Sequence, residues 1–174
     1  MPKSPKEPFR LQFTPEQIKP LAARYEYGGD ADALKAGQRI ARGDFSRANL
    51  EMIFRWKTGG RGISRLSRNS ESEICDALEL AVNAKTERAA LAVLCGLTGI
   101  DVPVASAVLT AIDPERYTVL DYRALESLGV ELSWYTYEFY LTYLDECRKL
   151  AGQNSVSLRN LDRALWQWSK ERSL

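Results

Sequence analysis

Acid–base chemistry in this chain falls to carboxylates, lysines and tyrosines, because its 174 residues include no histidine. That absence removes serine and cysteine triads, histidine-based zinc hydrolases and any imidazole proton shuttle. Cys75, Cys95 and Cys147 are odd in number and widely spaced, which predicts neither a disulfide framework nor a paired-cysteine zinc site, and so no metal. There is no Gly-Lys-Ser phosphate loop and no GxGxxG fingerprint, so nucleotide-driven chemistry has no support. Two features remain. Asp121 stands beyond a proline-broken loop, directly before Tyr122 and Arg123. Residues 42–68 carry Arg42, Arg47, Arg55, Lys57, Arg61, Arg65 and Arg68 against only Asp44 and Glu51, a local balance of +5 in a chain of net charge +1, leaving the remainder at −4. One basic segment on an otherwise acidic chain is the asymmetry expected of a phosphate-binding face. The glycines between Lys57 and Arg68 let that segment lie close along a backbone. Trp56 can stack or wedge if exposed, although its spacing from Ile53 favours a core position.

The stretch that must position Asp121 is a pair of short apolar helices. The first is expected over Thr86 to Leu97, with Thr86 as N-cap and Ala90, Leu91, Val93, Leu94 and Leu97 at helical spacing. A turn at Thr98-Gly99-Ile100 follows. Asp101 can cap the second helix, where Pro103 is tolerated because first-turn amides have no intrahelical partner. That helix runs to about Ile112, and Asp113-Pro114 ends it, since the residue before a proline is pushed out of the helical region.

Leu97-Thr98-Gly99-Ile100-Asp101-Val102-Pro103-Val104-Ala105 resembles the hairpin of the helix-hairpin-helix DNA glycosylase superfamily, the group of endonuclease III, adenine glycosylase and alkyladenine glycosylase. Val119-Leu120-Asp121 resembles the catalytic segment that follows it there, with Asp121 lying 22 positions after Gly99. The resemblance implies excision of a damaged or modified base from double-stranded DNA, with Asp121 catalytic and Trp56, Tyr122 and Arg123 around the substrate pocket. It implies a DNA grip by Gly99, Ile100 and Val102 of the hairpin, aided by Lys57, Arg61, Arg65 and Arg68, with a structural monovalent cation at the hairpin and no other cofactor. Two departures matter. Asp101 replaces the second hairpin glycine and sets a negative charge beside the phosphate grip. Pro103 occupies the position where bifunctional members carry a Schiff-base lysine, so the resemblance implies a monofunctional, water-mediated reaction. An iron–sulfur cluster of the endonuclease III kind needs four cysteines, and this chain has three.

The chemistry follows from the bond broken. Base excision passes through an oxocarbenium-like sugar, whose positive charge a nearby carboxylate stabilises while it aligns or deprotonates water. Tyr122 and Arg123 would line the pocket for a base that has left the stack. Asp121 can also be read simply as an N-cap for the helix after it, and one aspartate can do both. The competing readings are a non-catalytic helix-hairpin-helix DNA-binding protein, favoured by Asp101 and Pro103, and a helical protein-interaction module whose basic segment meets an acidic partner.

The remaining chain is expected to be all-α, a compact bundle of about eight to ten helices, at most faintly bilobal. Residues 1–13 read as a loose tail and 14–174 as a single helical domain, with the hairpin at 86–112 and the basic segment at 42–68. Helix starts are expected at Thr14-Pro15-Glu16-Gln17, Asp30, Ser46, Ser70, Ser133 and near Leu158, with Pro20 breaking or restarting the first. Lys57 to Arg68 reads as loop, and Tyr117 to Leu120 is a short strand candidate. No apolar run is long enough for a membrane span and no signal-peptide core follows Met1, so the expected location is cytoplasmic, at the nucleoid if DNA binding holds.

Overall fold

The computed structural model describes residues 9–132 and 134–173. Its regular structure is helical, with ten α-helices and no strand among the described residues. A 3-10 turn, Pro15–Gln17, leads into α1 (Ile18–Ala23); then come α2 (Asp30–Ala41), α3 (Arg47–Thr58), α4 (Ile63–Leu66) and α5 (Glu71–Val82). The hairpin is α6 (Glu87–Cys95) and α7 (Val102–Ile112), followed by α8 (Tyr122–Ser127), α9 (Tyr137–Gln153) and α10 (Leu158–Arg172).

The helix α7 carries no charged residue and is buried from Val104 to Ala111, so it must be enclosed on all sides. It packs against α2, α3 and α6. The α2 contact is close enough to demand glycine: a Cβ on Gly37 would lie 1.9 Å from the Ala111 carbonyl oxygen. A second group forms around α10, which packs on α1, α8 and α9, and α6 touches α9 to join the two. One continuous apolar core runs through both groups.

Local caps fall where side-chain chemistry places them. Thr86, Asp101 and Asp121 each accept the amide of the residue three positions on, and Ser70 and Glu73 form a reciprocal capping box. Pro20 does not break α1, because it sits in the first turn where no intrahelical amide is lost. Asp30 is the first helical residue of α2, with Gly29 as its cap, since the Asp30 carboxylate is engaged by Arg159 and Arg163 instead. The expected start at Ser133 lies outside the described residues; α9 begins at Tyr137, capped by Thr136. The segment 57–68 is not all loop, because α4 forms within it.

Residues 9–13, expected to belong to a loose tail, are tied down. The Arg10 amide donates to the Leu128 carbonyl at 2.8 Å and the Gln12 amide to the Ser127 carbonyl at 2.9 Å. Phe13 is buried, and the Phe9 ring lies 5.8 Å from that of Phe139. Burying Phe13 and partly burying Phe9 offsets the ordering cost of this short stretch.

Residues 117–120 form no regular element and pair with no strand. Side chains meet three of their backbone groups: the Tyr140 hydroxyl donates to the Thr118 carbonyl at 3.0 Å, the Tyr143 hydroxyl to the Val119 carbonyl at 2.7 Å, and the Leu120 amide donates to Ser106 Oγ at 2.9 Å. Both tyrosines are fully buried, and burial pushes their hydroxyls up, keeping them protonated as donors. These bonds fix the approach to Asp121. Tyr143→Phe leaves a buried carbonyl unpaired and is expected to cost about 1–2 kcal/mol in a urea titration; a change within error would show that the Val119 carbonyl finds another partner.

Candidate active site

A cleft of about 590 Å³ opens between the hairpin group and the α10 group, within the range of roughly 300–1,000 Å³ typical of ligand sites. Asp121 lines it from the start of α8. Its Oδ1 accepts the Ala124 amide at 2.8 Å, which fixes the carboxylate, and Oδ2 is left facing Lys57 Nζ at 3.9 Å. Both side chains are largely enclosed, at 21% and 14% exposure. Lys57 comes from the last turn of α3. That helix end is fastened by Thr58, whose hydroxyl donates to the Phe54 carbonyl at 2.8 Å and accepts the Gly60 amide at 3.1 Å.

The aromatic wall is built from three elements. Tyr27 lies in the α1–α2 connection, Trp56 on α3 and Trp166 on α10, with Tyr27 edge-on to both, at 6.3 Å from Trp56 and 5.3 Å from Trp166. The Tyr27 hydroxyl donates to the Trp56 carbonyl, which pins the turn to the helix. Burial, with the Asp121 charge adding to it, raises the Tyr27 hydroxyl above its ordinary value.

Behind this wall sits an ion-pair cluster. Arg159 donates to Asp30 and Asp162, and Arg163 donates to the second Asp30 oxygen at 2.8 Å. The Arg159 guanidinium also lies over the Trp56 ring, 5.5 Å from its centroid. Burial would raise the Asp30 carboxyl, yet the two guanidinium groups hold it below its usual range. Asp162 is different. Burial pushes its carboxyl up to about 6, with Arg159 opposing and the Asp121 charge adding to the rise. The folded chain therefore keeps the Asp162 proton to higher pH than the unfolded chain, and this group's contribution to stability is present below its ordinary value of 3.8 and lost as pH rises through about 6. Asp162→Asn is expected to remove that slope, worth about 3 kcal/mol over some two pH units. Urea midpoints at pH 4, 5, 6 and 7 measure it, and parallel profiles for the two proteins would refute the assignment.

The residues expected from the sequence divide in three. Asp121, Trp56, Lys57, Arg61 and Arg123 all line the cleft. Arg123 is held between rings, 5.1 Å from the Tyr122 centroid and 5.5 Å from that of Trp166, and Tyr122 stands at the rim, 63% exposed. Arg65 and Arg68 are exposed but do not line the cleft. Gly99, Ile100 and Val102 do not line it either. Ile100 and Val102 bury their side chains, and the Ile100 amide already donates to the Leu97 carbonyl at 3.3 Å. Gly99, with φ +88°, presses the hairpin turn onto α4: a Cβ there would lie 2.8 Å from the Leu66 nitrogen. Asn69 locks the same contact, accepting the Thr98 amide and donating to the Leu66 and Thr98 carbonyls at 2.8–2.9 Å. The hairpin reaches the cleft one turn later, through Asp101, Pro103 and Val104.

Tyr25, Tyr27, Arg159, Asp162, Trp166 and Lys170 are cleft residues that no local motif marks. Trp166 reads in sequence as a packing residue of a terminal helix, and only its meeting with Tyr27 gives it a cleft face. Among the described residues no three cysteine, aspartate or glutamate side chains converge to hold a metal ion, and no helix is long and apolar enough to cross a membrane. Protein-family models, curated proteins and solved structures give no match to this chain.

Proposed function

We propose that the cleft excises a damaged or modified base from double-stranded DNA, with Asp121 as the group that stabilises the sugar cation. The observation that carries this reading is the placement of Asp121: one oxygen tied to its own helix, the other turned toward a cleft flanked by Asp101, Pro103 and Val104 of the hairpin and by Lys57 and Arg61 of the basic segment. A carboxylate held in a partly enclosed site stabilises an oxocarbenium-like sugar more effectively than one in water, and can align the water that attacks it. Tyr27, Trp56 and Trp166 provide an apolar wall for a base turned out of the stack. Arg61, Arg123 and Lys170 lie where flanking phosphates would pass.

The test is base release from a panel of duplexes, each holding one damaged or modified base, for the wild type beside Asp121→Asn. Release by the wild type alone supports the reading and names the substrate. The second reading, a non-catalytic DNA-binding module, is favoured by Asp101, an exposed carboxylate on the hairpin where a phosphate would dock. It predicts duplex binding with no release from any substrate, and equal affinity for the two proteins.

A further inference from the structure

The hairpin turn has little left with which to hold a phosphate. Backbone amides grip an anion only when they point outward without a partner. Here the Thr98 amide donates to Asn69 Oδ1 at 2.9 Å, the Ile100 amide to the Leu97 carbonyl at 3.3 Å and the Val104 amide to Asp101 Oδ1 at 3.1 Å, and Pro103 has no amide hydrogen. Asp101 adds an exposed negative charge. The turn is also covered. A Cβ on Gly99 would lie 2.8 Å from the Leu66 nitrogen and 3.2 Å from the Arg65 Cβ, so α4 is seated on it. The covering segment carries the positive charge that the turn lacks. Leu66 and Asn69 are buried, whereas Arg61, Arg65 and Arg68 are exposed. None of these three arginines pairs with a carboxylate among the described residues. Arg47, in the same basic segment, is paired with Glu71.

We infer that duplex DNA is held on the exposed side of α4, by Arg65 and Arg68 together with Arg61, and not by the hairpin turn beneath it. This rests on the base-excision reading, which supplies the partner. A guanidinium is permanently charged and presents planar paired donors that match a phosphate. With no carboxylate partner, these three break no ion pair when they bind one. Arg65 and Arg68 stand three residues apart on consecutive turns, which places them side by side, while Leu66 and Asn69 at the same spacing face inward. Asn69 and Gly99 fasten α4 to the hairpin, so the position of the arginines is set by packing before any strand arrives. Arg61 also lines the cleft, so a strand held along α4 meets the cleft mouth there. Lys57 takes no part in this grip, because its side chain is 14% exposed and turned toward Asp121.

The experiment measures affinity of the full chain for an undamaged duplex by fluorescence anisotropy across a salt series. The wild type is compared with Arg65→Gln/Arg68→Gln and with Lys35→Gln/Lys149→Gln, which removes the same charge from exposed positions on α2 and α9. All four positions lie outside the core, and thermal melts check that each variant folds. The α4 variant is expected to bind about 30-fold more weakly near physiological salt, and its plot of log affinity against log salt should flatten by about 2, one step for each lost phosphate contact. The control should stay within about threefold of the wild type with an unchanged slope. An α4 variant that binds like the control overturns the inference, because net charge alone would then account for binding. Polyglutamate competing as well as duplex at equal charge also overturns it, by assigning the arginines to an acidic protein. Base release is scored separately on the damaged duplexes. Release by the wild type, with the α4 variant binding undiminished, sinks the α4 grip and leaves base excision standing. Weakened binding by the α4 variant, with no release from any duplex by the wild type, supports the grip and removes base excision. With neither duplex binding nor release, both fall.

Discussion

Asp121→Asn is expected to lower base release by about 10³-fold, the scale of losing a preorganised charge or general base at a reacting centre. The substitution is informative because it separates the two duties of the side chain. Asparagine keeps an oxygen that can accept the Ala124 amide, so the cap of α8 survives. What disappears is the negative charge facing Lys57 and the cleft. Unfolding stability should move by no more than about 1 kcal/mol, and duplex affinity should hold or rise as a charge that repels phosphate is removed. Single-turnover release at saturating enzyme measures the chemical step. An Asn variant that releases base within tenfold of the wild type would show that the carboxylate is only a cap.

A comparable effect on stability is expected behind the aromatic wall of the cleft. Asp30→Ala strips the ion-pair cluster of the carboxylate that meets both Arg159 and Arg163, whose side chains are only 10% and 30% exposed. Arg159 keeps Asp162 and Arg163 is partly exposed, so the charges are only partly uncompensated, and the expected cost is about 3 kcal/mol, the low end for breaking a buried pair. For a chain of this size that is a large part of a total stability of about 5–15 kcal/mol. Adding Arg163→Met to Asp30→Ala should recover part of the loss, because Arg163 is the guanidinium whose carboxylate Asp30→Ala removes, whereas Arg159 keeps Asp162. Chemical denaturation of the two single variants and the double variant closes the cycle. Strict additivity would mean that Asp30 and Arg163 do not interact. The Arg24–Glu171 pair, with side chains 49% and 36% exposed, should cost no more than about 1 kcal/mol when broken.

Legibility from sequence follows the range of the interaction involved. Thr86, Asp101, Ser70 and Asp121 were readable as caps because each bonds three residues away, inside the window where sequence spacing is spatial spacing. The apolar α7 announced its own burial. Asp30 looks like a cap by the same logic, but its carboxylate is taken by Arg159, 129 residues distant, and no local pattern carries that information. The same limit explains Lys57. A lysine at a helix end reads as a phosphate contact whether it faces solvent or a cleft, and only the packing of α3 beside α7, with Asp121 coming round on α8, distinguishes the two. The wall of Tyr27, Trp56 and Trp166 draws on three elements separated by most of the chain. The 117–120 segment looked like a strand because it is short, apolar and β-branched, and those properties equally suit a buried connection whose carbonyls are met by tyrosine hydroxyls.

Ser106 sits inside α7, donates to the Pro103 carbonyl at 2.7 Å, and receives the amide of Leu120, the residue before Asp121. A single hydroxyl thus joins the first turn of the hairpin's second helix to the backbone that carries the carboxylate. If the cleft excises bases as proposed, this hydroxyl would make docking and reaction interdependent. A strand that displaced the hairpin would also shift the aspartate, so misplaced substrates would meet a mistuned centre rather than a merely weaker grip. Fidelity in such an arrangement would arise from timing, with poorly seated strands departing before the bond breaks, and it would require no dedicated sensor for the wrong base.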